Sequence, residues 1–256
     1  MRVPACGLRC EISTRILFLG DSLTEGSPGV STLDILEALL PDCSLINWGR
    51  GGDSAPSLYQ RLQTLPFPTD IEIAFLWVGV NDVFLKVSPS FGLLRRLRNQ
   101  HWSANQTEFE ASYRKLLAYL QPRVRHVVTV SPLFIGEQLD NLWNRALESI
   151  IAAVERISAQ YYVSRYIPLR EAFVRELAQE PSSDYLARSL AVIQLDKLLR
   201  TPQQVDAVSA RRGLRFTLDG VHLNSRGANI VAEIFYQTIQ ELLQAAQPPR
   251  PIVRLQ

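Results

Sequence analysis

The chain has 256 residues, a length that suits one α/β domain and would also allow two small domains. With 46% hydrophobic and 20% charged residues, its composition is that of a globular protein with a sizeable core. The formal net charge of +2 is too small to indicate an obligate nucleic-acid or membrane-surface partner.

The N-terminal residues show no targeting pattern, and the cysteines show no disulfide pattern. Residues 1–14 contain no continuous apolar stretch of the signal-peptide kind, and no apolar run approaches the ~20 residues of a membrane span. The three cysteines, Cys6, Cys10 and Cys43, form no disulfide framework, which favours a reducing compartment. We therefore expect a cytoplasmic protein without an integral membrane segment.

Short apolar runs alternate with amphipathic stretches along the chain. In chain order, the patterns predict a strand at 15–19, a helix at 32–40, strands at 44–48 and 71–78, a helix at 108–120, a strand at 124–130, a helix at 139–159, a strand at 161–167 and a helix at 225–245. This alternation predicts an α/β fold in which a parallel sheet carries helices on both faces. The ligand site of such a sheet lies at the carboxyl ends of its strands.

One segment departs from the alternation. Residues 171–210 have a mostly helical pattern that is interrupted at Pro181 and Pro202, and we interpret them as an insertion. The expected organisation is an N-terminal extension at 1–14, a single domain at 15–245 that includes the insertion, and a loose, Pro-rich tail at 246–256.

Four short polar motifs stand at strand ends or before a helix. They are GDSLT at 20–24, NWGRGGDS at 47–54, GVND at 79–82 and DGVHLN at 219–224. Each alone is a common turn or helix start. Three of them follow predicted strands and the fourth precedes the last helix, so their joint occurrence indicates that they converge on one site.

These motifs resemble those of the GDSL or SGNH hydrolase family, which carry a serine, a glycine, an asparagine and a histidine. The matching residues are Ser22, Gly52, Asn81 and His222. The resemblance covers nearly the whole chain. It implies a flavodoxin-like three-layer α/β/α sandwich with a five-stranded parallel sheet, and a serine esterase activity. The insertion is longer than the minimal family connection, which leaves the substrate class open.

The matched residues can perform nucleophilic catalysis. The Ser22 hydroxyl becomes nucleophilic when His222 accepts its proton, and Asp219 orients the imidazole and stabilises its charged form. The resemblance supplies an oxyanion hole made of the Ser22 and Gly52 amides and the Asn81 side chain. It implies a small-molecule ester as the substrate, and nothing in the sequence indicates a cofactor or a metal ion.

The other motif residues have structural or substrate-binding roles in this interpretation. Asp21 organises its turn, Asp82 caps or braces its loop, and Asn224 and Ser225 cap the last helix. Apolar residues beside the motifs favour a short or medium acyl chain. These residues are Leu23, Val83, Phe84, Leu85, Phe134 and Val221.

Three other functions stay open, as does the oligomeric state. An acyltransferase would use the same serine and pass the acyl group to an alcohol. A metallophosphoesterase fits less well, because its dinuclear site needs several histidines. The chain has only His101, expected in solvent, His126, expected in the core, and His222. A non-catalytic binding module would have lost catalytic groups, all of which are present. The α/β-hydrolase elbow G-x-S-x-G is absent around Ser22.

The segment SFGLLRRLRNQHW at 90–102 follows the asparagine motif. Its leucines alternate with arginines, so a short helix here would have an apolar side and a basic side. Such a helix would either pack on the edge of the sheet or form a mobile cover over the acyl pocket.

Overall fold

Five parallel strands form the centre of the computed structural model, which describes residues 13–84, 100–180 and 182–245. The strands are β1 (Thr14–Gly20), β2 (Cys43–Gly49), β3 (Ile71–Trp77), β4 (Val124–Val130) and β5 (Arg165–Ile167). Their spatial order is β2-β1-β3-β4-β5, which is the order of a flavodoxin-like sheet. The predicted five-stranded parallel sheet is confirmed.

Helices flank this sheet. The described helices are α1 (Ser22–Glu25), α2 (Thr32–Leu39), α3 (Ala55–Leu62), α4 (Val80–Phe84), α5 (Gln106–Leu120), α6 (Leu142–Ser158), α7 (Leu169–Leu177), α8 (Leu190–Asp196), α9 (Pro202–Arg211) and α10 (Ser225–Ala245). Helix α2 packs against α10, whereas α5 packs against both α3 and α6, so the helices form two groups. The architecture is the three-layer α/β/α sandwich that the resemblance implied.

Local hydrogen bonds shift two predicted boundaries. The helix predicted at 139–159 begins only at Leu142, because the side chain of Asn141 accepts backbone amide hydrogens of the first turn and caps it. The strand predicted at 161–167 keeps only its last three residues, as β5, since the residues before it form a turn.

Helix α3 has no counterpart in the sequence-based prediction. The Ser54 hydroxyl accepts the amide hydrogen of Ser57, and the Ser57 hydroxyl accepts the amide hydrogen of Ser54, so a capping box opens the helix. Pro56 lies in the first turn, where a missing N–H is tolerated. The helix has only eight residues, too few for a clear apolar periodicity.

The insertion at 171–210 includes all of α8 and most of α7 and α9, which begin or end one or two residues outside it. Pro202, which we expected to break the helical pattern, is the first residue of α9, and Thr201 caps it. Arg212 ties the insertion to the domain: its guanidinium binds the Asp196 carboxylate at 2.7 and 2.8 Å and donates to the Leu218 carbonyl at 2.8 Å. Because Leu218 directly precedes the DGVHLN motif, the end of α8 is attached to that loop.

An aromatic cluster joins the last helix to the middle of the sheet. Phe18 of β1 stacks on Phe75 of β3 with ring centroids 4.8 Å apart, and the ring of Phe235 from α10 lies 4.8 Å from that of Phe75. All three side chains are buried, and their packing holds α10 against β1 and β3. The DGVHLN motif, which precedes α10, is thereby held near the carboxyl end of β1.

Helix α10 begins at the predicted residue, but of the two residues expected to cap it, only Asn224 does so. The Asn224 side chain accepts the amide hydrogen of Gly227 at 3.0 Å, which is the geometry of a capping residue. Ser225 is already the first helical residue, and its amide donates to Asp206 at 2.9 Å.

Several sequence-based predictions lie outside the described residues. They concern residues 1–12 with Cys6 and Cys10, Leu85, most of the segment 90–102, Pro181 and the tail at 246–256. Cys43 is a half-buried free thiol at the start of β2. Across the described part of the chain, no helix is both long and apolar enough to cross a membrane.

Candidate active site

The serine of the first motif stands directly after strand β1, which lies between β2 and β3. Strand β1 ends at Gly20, where a Cβ would lie 2.3 Å from the carbonyl oxygen of Trp77, so only glycine fits there. The Asp21 side chain accepts the amide hydrogen of Leu23 at 2.9 Å and caps the short helix α1. Ser22 is the first residue of α1, and its side chain therefore lies at the carboxyl edge of the sheet.

A hydrogen-bonded chain connects Ser22, His222 and Asp219. Nε2 of His222 lies 2.9 Å from Oγ of Ser22, and Nδ1 of His222 lies 2.7 Å from Oδ2 of Asp219. An ionised carboxylate only accepts hydrogen bonds, so Nδ1 carries a hydrogen and Nε2 is left to accept the serine proton. All three residues are buried, which limits the access of water to these bonds.

The spacing of three positions between Asp219 and His222 has a local cause. Oδ1 of Asp219 accepts the amide hydrogens of Val221 at 3.0 Å and His222 at 2.8 Å, which closes a tight turn. Inside the turn, Gly220 has a φ of +93°, and a Cβ there would lie 2.9 Å from the carbonyl oxygen of Tyr185. One carboxylate thus shapes the loop and orients the imidazole.

Burial and charge act in opposite directions on this pair. Burial alone would lower the pKa of His222, but the charge and hydrogen bond of Asp219, helped by the charge of Asp21, raise that pKa above its ordinary value. Lys197 opposes the increase. Burial alone would raise the pKa of Asp219, but the charge and hydrogen bonds of His222 hold it below its usual range. The pair is therefore an ionised carboxylate beside an imidazole of increased basicity.

A second buried carboxylate holds the chain that leads into this loop. Glu137 accepts the amide hydrogens of three consecutive residues, 215–217, at 2.8 Å each, and the Thr217 hydroxyl at 2.7 Å. It also accepts the Ser182 hydroxyl from the insertion. Two residues after Thr217 the chain reaches Asp219. Glu137 follows β4 outside the four motifs, so no sequence signal pointed to it.

The asparagine of the third motif links three loops. Nδ2 of Asn81 donates to Oδ2 of Asp21 at 3.1 Å and to the carbonyl oxygen of Asp53 at 3.0 Å. Both amide hydrogens of Asn81 thus have acceptors in this geometry. A bound oxyanion would replace one of these acceptors or share a hydrogen with it. Gly52, in the loop after β2, has a φ of +89° and lines the same cavity as Asn81. Asp21 therefore orients Asn81 as well as its own turn.

Two further aspartates, Asp53 and Asp82, stabilise the loops of the second and third motifs. Asp53 forms an ion pair with Arg61 at 2.7 Å. Asp82 accepts the amide hydrogen of Ala55 at 3.0 Å and the hydroxyl of Ser103 at 2.6 Å. Both carboxylates are buried, so these partners offset the loss of water around the charges. The bracing role expected for Asp82 is confirmed.

Among the described residues, the motif residues line one cavity that opens to solvent. Its lining includes Ser22, Gly52, Asn81 and His222 with the apolar Leu23, Val80, Phe84 and Val221. Val83, expected in the pocket, is not in this lining and is buried in the core, because it lies on the other side of the short helix α4. Phe134, expected there as well, packs on Phe173 in the core with ring centroids 5.7 Å apart.

The insertion supplies a wall of this cavity that the sequence did not predict. Helix α8 and the residue after it contribute Leu190, Ile193, Gln194 and Lys197. Gln100 also lines the cavity, and its side chain donates to the Gly51 carbonyl at 3.3 Å. The helical pattern of 171–210 indicates secondary structure but not the loop against which a helix packs, so this wall had no signal in the sequence.

Within residues 13–84, 100–180 and 182–245, no three histidine, cysteine or acidic side chains form a group that could hold a metal ion. His101 is exposed, as expected. His126 differs from its expected core position: it is half-buried on β4, with Nδ1 lying 3.0 Å from the hydroxyl oxygen of Ser164.

Asp219→Asn should lower the pKa of His222, because the substitution removes the charge that offsets burial. An NMR titration of the imidazole nitrogens measures this pKa directly. We expect a midpoint above 6.5 in the wild-type protein and a clear decrease in the variant. Asp140→Asn, at a side chain that is 89% exposed, is the matched control and should leave the midpoint unchanged. Equal midpoints in wild type and Asp219→Asn would contradict this electrostatic account.

Glu137→Gln should lower the free energy of unfolding by about 1–3 kcal/mol, since the new amide group cannot accept from all the donors that the carboxylate serves. His222 should also become less ordered, which the linewidths of its ring signals would report. Glu148→Gln, at an exposed glutamate of α6, is the control and should change neither quantity. Unaltered stability and unaltered His222 signals in Glu137→Gln would show that this carboxylate does not hold the loop.

Comparisons with known proteins give the family of this chain. The model of the GDSL-like lipase/acylhydrolase family matches residues 18–230. An acetylxylan esterase from Geobacillus stearothermophilus is 23% identical over 177 residues, which are 62% of this chain and 77% of that protein.

Solved structures share the fold. LAE5, an α/β hydrolase enzyme from the metagenome of Lake Arreo in Spain, has a TM-score of 0.62 and 18% identity, covering 90% of this chain and 96% of its own. Axe2, an acetylxylan esterase from Geobacillus stearothermophilus, has a TM-score of 0.59 and 18% identity, covering 88% and 94%. Other structures are catalytic mutants of Axe2 with alanine in place of a histidine, an aspartate or a serine. Because the family model covers most of the chain, the protein belongs to the GDSL-like lipase/acylhydrolase family and is a carboxylic ester hydrolase.

Proposed function

We propose that Ser22, His222 and Asp219 hydrolyse esters through an acyl-enzyme intermediate. The observation that carries this proposal is the chain of contacts from Oγ of Ser22 to Nε2 of His222, at 2.9 Å, and from Nδ1 to Asp219, at 2.7 Å. Oγ attacks the carbonyl carbon while Nε2 takes its proton, and that proton passes to the alcohol as the ester C–O bond breaks. Water, activated by the same nitrogen, then attacks the acyl-serine and releases the acid.

Each tetrahedral intermediate places negative charge on the former carbonyl oxygen. The amides of Ser22 and Gly52 and the side chain of Asn81 are the donors that we assign to it, and all three residues line the cavity. Asn81 is oriented before the charge develops, because Asp21 and Asp53 already accept its hydrogens. An oxyanion would compete for one of these hydrogens only in the transition state, which is where such a contact accelerates the reaction.

The relatives support these roles. The catalytic mutants of Axe2 replace a histidine, an aspartate and a serine, the residue types that this chain joins by hydrogen bonds as His222, Asp219 and Ser22. An acetylxylan esterase is also the relative matched by sequence, and acetyl is a short acyl group.

We infer that the acyl group is short to medium in length. The apolar part of the cavity lining includes Leu23, Phe84 and Val221 from the motif regions, and Leu190 and Ile193 from α8. Apolar walls favour burial of an alkyl chain, and the helix of the insertion limits how far that chain can extend.

Hydrolysis and transfer to an alcohol share the acyl-enzyme, so the triad by itself is compatible with both. Among the described residues the cavity opens to solvent, which would give water a path to the acyl-serine. This openness favours hydrolysis over acyl transfer, and a small-molecule ester as the substrate.

Ser22→Ala should lower kcat for p-nitrophenyl acetate by about 10³-fold or more, since the acyl-enzyme can no longer form. A fluorophosphonate probe should label the wild-type protein and not the variant, and the Tm should change little. Ser149→Ala, at an exposed serine of α6, is the control and should keep both activity and labelling. More than a tenth of wild-type turnover in Ser22→Ala would remove this serine from the role of nucleophile.

Ile193→Trp should narrow the acyl end of the cavity, because the larger ring occupies space that a longer chain needs. The measurement is kcat/KM on p-nitrophenyl esters from acetyl to octanoyl. The octanoyl-to-acetyl ratio should decrease about tenfold or more. Leu195→Trp changes the same helix at a side chain that is 63% exposed, and should leave the ratio as in the wild type. If the two variants gave the same ratio, α8 would not limit the acyl chain.

A further inference from the structure

A lysine enters the cavity from the insertion. Lys197 follows α8, is half-buried and lines the cavity that contains Ser22 and His222. Its Nζ lies 3.8 Å from the point that a Cβ on Gly51 would occupy, so the ammonium stands beside the loop that carries Gly52. The triad does not need a cation here, since a positive charge opposes protonation of the imidazole.

The ammonium of Lys197 has neither an ion pair nor a hydrogen bond to the parts of the chain that the structure describes. Other cations close to the site do have such partners: Arg61 is paired with Asp53, and Arg212 with Asp196. Glu25 is the carboxylate near Lys197, and its Oε2 accepts the amide hydrogen of Gly51 at 2.7 Å without pairing with the lysine. Lys197 is thus a partly desolvated charge that faces the substrate space.

The backbone at this position is held in place. The residue before it, Asp196, is 5% exposed and accepts two hydrogen bonds from Arg212. The guanidinium of Arg212 lies over the ring of Tyr185, 4.9 Å from its centroid. The amide of Lys197 donates to the Ile193 carbonyl at 3.2 Å. A charge on an anchored backbone loses less entropy when it binds a partner than a charge on a free surface loop.

Lys197 lies where the cavity that contains Ser22 meets a second groove. A neighbouring groove shares Ser27, Pro28 and Lys197 with that cavity and continues along residues 26–31 and 199–202. The lining of this groove is more polar than that of the cavity that contains Ser22. Its charged lining residues are Lys197, Arg200 and Asp34. An ester whose acyl chain contacts the apolar walls would extend its alcohol moiety past Lys197 into this groove.

We propose that Lys197 is a specificity residue that binds a carboxylate on the alcohol moiety of the ester substrate. This inference rests on the proposed function, because it takes Ser22 as the attacking residue. A single carboxylate suits the site better than a doubly charged phosphate, since the nearby carboxylate of Glu25 offsets part of the positive charge. The contact would be a charge-assisted hydrogen bond from the ammonium in a partly buried setting.

The test uses two acetyl esters of similar shape, 4-acetoxybenzoate and 4-acetoxybenzamide. Their alcohol moieties differ in charge but carry the same acyl group. The readout is the ratio of kcat/KM for the acid to that for the amide, compared between proteins, because the difference in intrinsic reactivity then cancels. We expect Lys197→Gln to lower this ratio about five- to tenfold and Lys197→Glu to lower it further. Added salt should lower the wild-type ratio.

Lys115→Gln is the matched control. Lys115 is an exposed lysine of α5 near the ring of Tyr59, so the variant has the same net charge as Lys197→Gln without altering the cavity. Its ratio should equal that of the wild type. An equal ratio in wild type and Lys197→Gln, with both esters hydrolysed and Ser22 labelled by the fluorophosphonate, would overturn the inference and leave the proposed function intact. Absence of both hydrolysis and labelling would instead overturn the proposed function, and the inference with it.

Discussion

The parallel register of β1 with its two neighbours is the constraint on which the site depends. Gly20, the last residue of β1, is paired with Gly49 of β2 and with Trp77 of β3, so three strands end side by side. The loops that follow carry the serine, glycine and asparagine of the first three motifs. A shift of one residue in either pairing would reverse the side-chain directions at these ends and move the loops apart. The position of β1 between β2 and β3 is therefore what gives the serine two neighbouring loops.

Hydrogen bonds between buried polar groups connect these loops to one another. Asn81 donates to groups from the loops after β1 and β2, and Glu137 collects the amides of the chain that leads to Asp219. A buried carboxylate without partners would cost several kcal/mol, so each such residue is stable only while the surrounding loops keep their positions. These hydrogen bonds offset the burial of the polar groups and also hold the atoms that we propose to react in place before a substrate arrives. Such preorganisation is the condition for electrostatic stabilisation of an oxyanion.

Chemistry and selectivity arise from different parts of the fold. The sheet edge and the loop before α10 bring together the groups that we propose to react, whereas α8 provides a wall of the cavity. The two parts are coupled, since Arg212 binds the end of α8 and the carbonyl just before the DGVHLN motif. We therefore expect a change in the insertion to alter both the wall of the cavity and the alignment of His222. In such an arrangement a buried ion pair also serves to hold two elements in register.

The sequence by itself determined the features that depend on local patterns. Apolar runs identified the strands, although turns and caps moved the ends of two elements. The pairing of Asp219 with His222 is local too, because one carboxylate binds the amides of the turn and the imidazole that the turn carries. The family resemblance connected this turn with a serine 197 positions away from the aspartate and 200 from the histidine.

Only the tertiary structure decided which distant residues meet at that turn. Glu137 and Lys197 lie outside every motif, and their contacts depend on how β4 and the insertion pack against the DGVHLN loop. Val83 is next to a motif residue yet lies in the core, because a helical turn directs neighbouring side chains to different sides. Periodicity reports which face of an element is buried, but not what that face is buried against. The walls of the cavity and the charge that lines it are therefore properties of the packed fold.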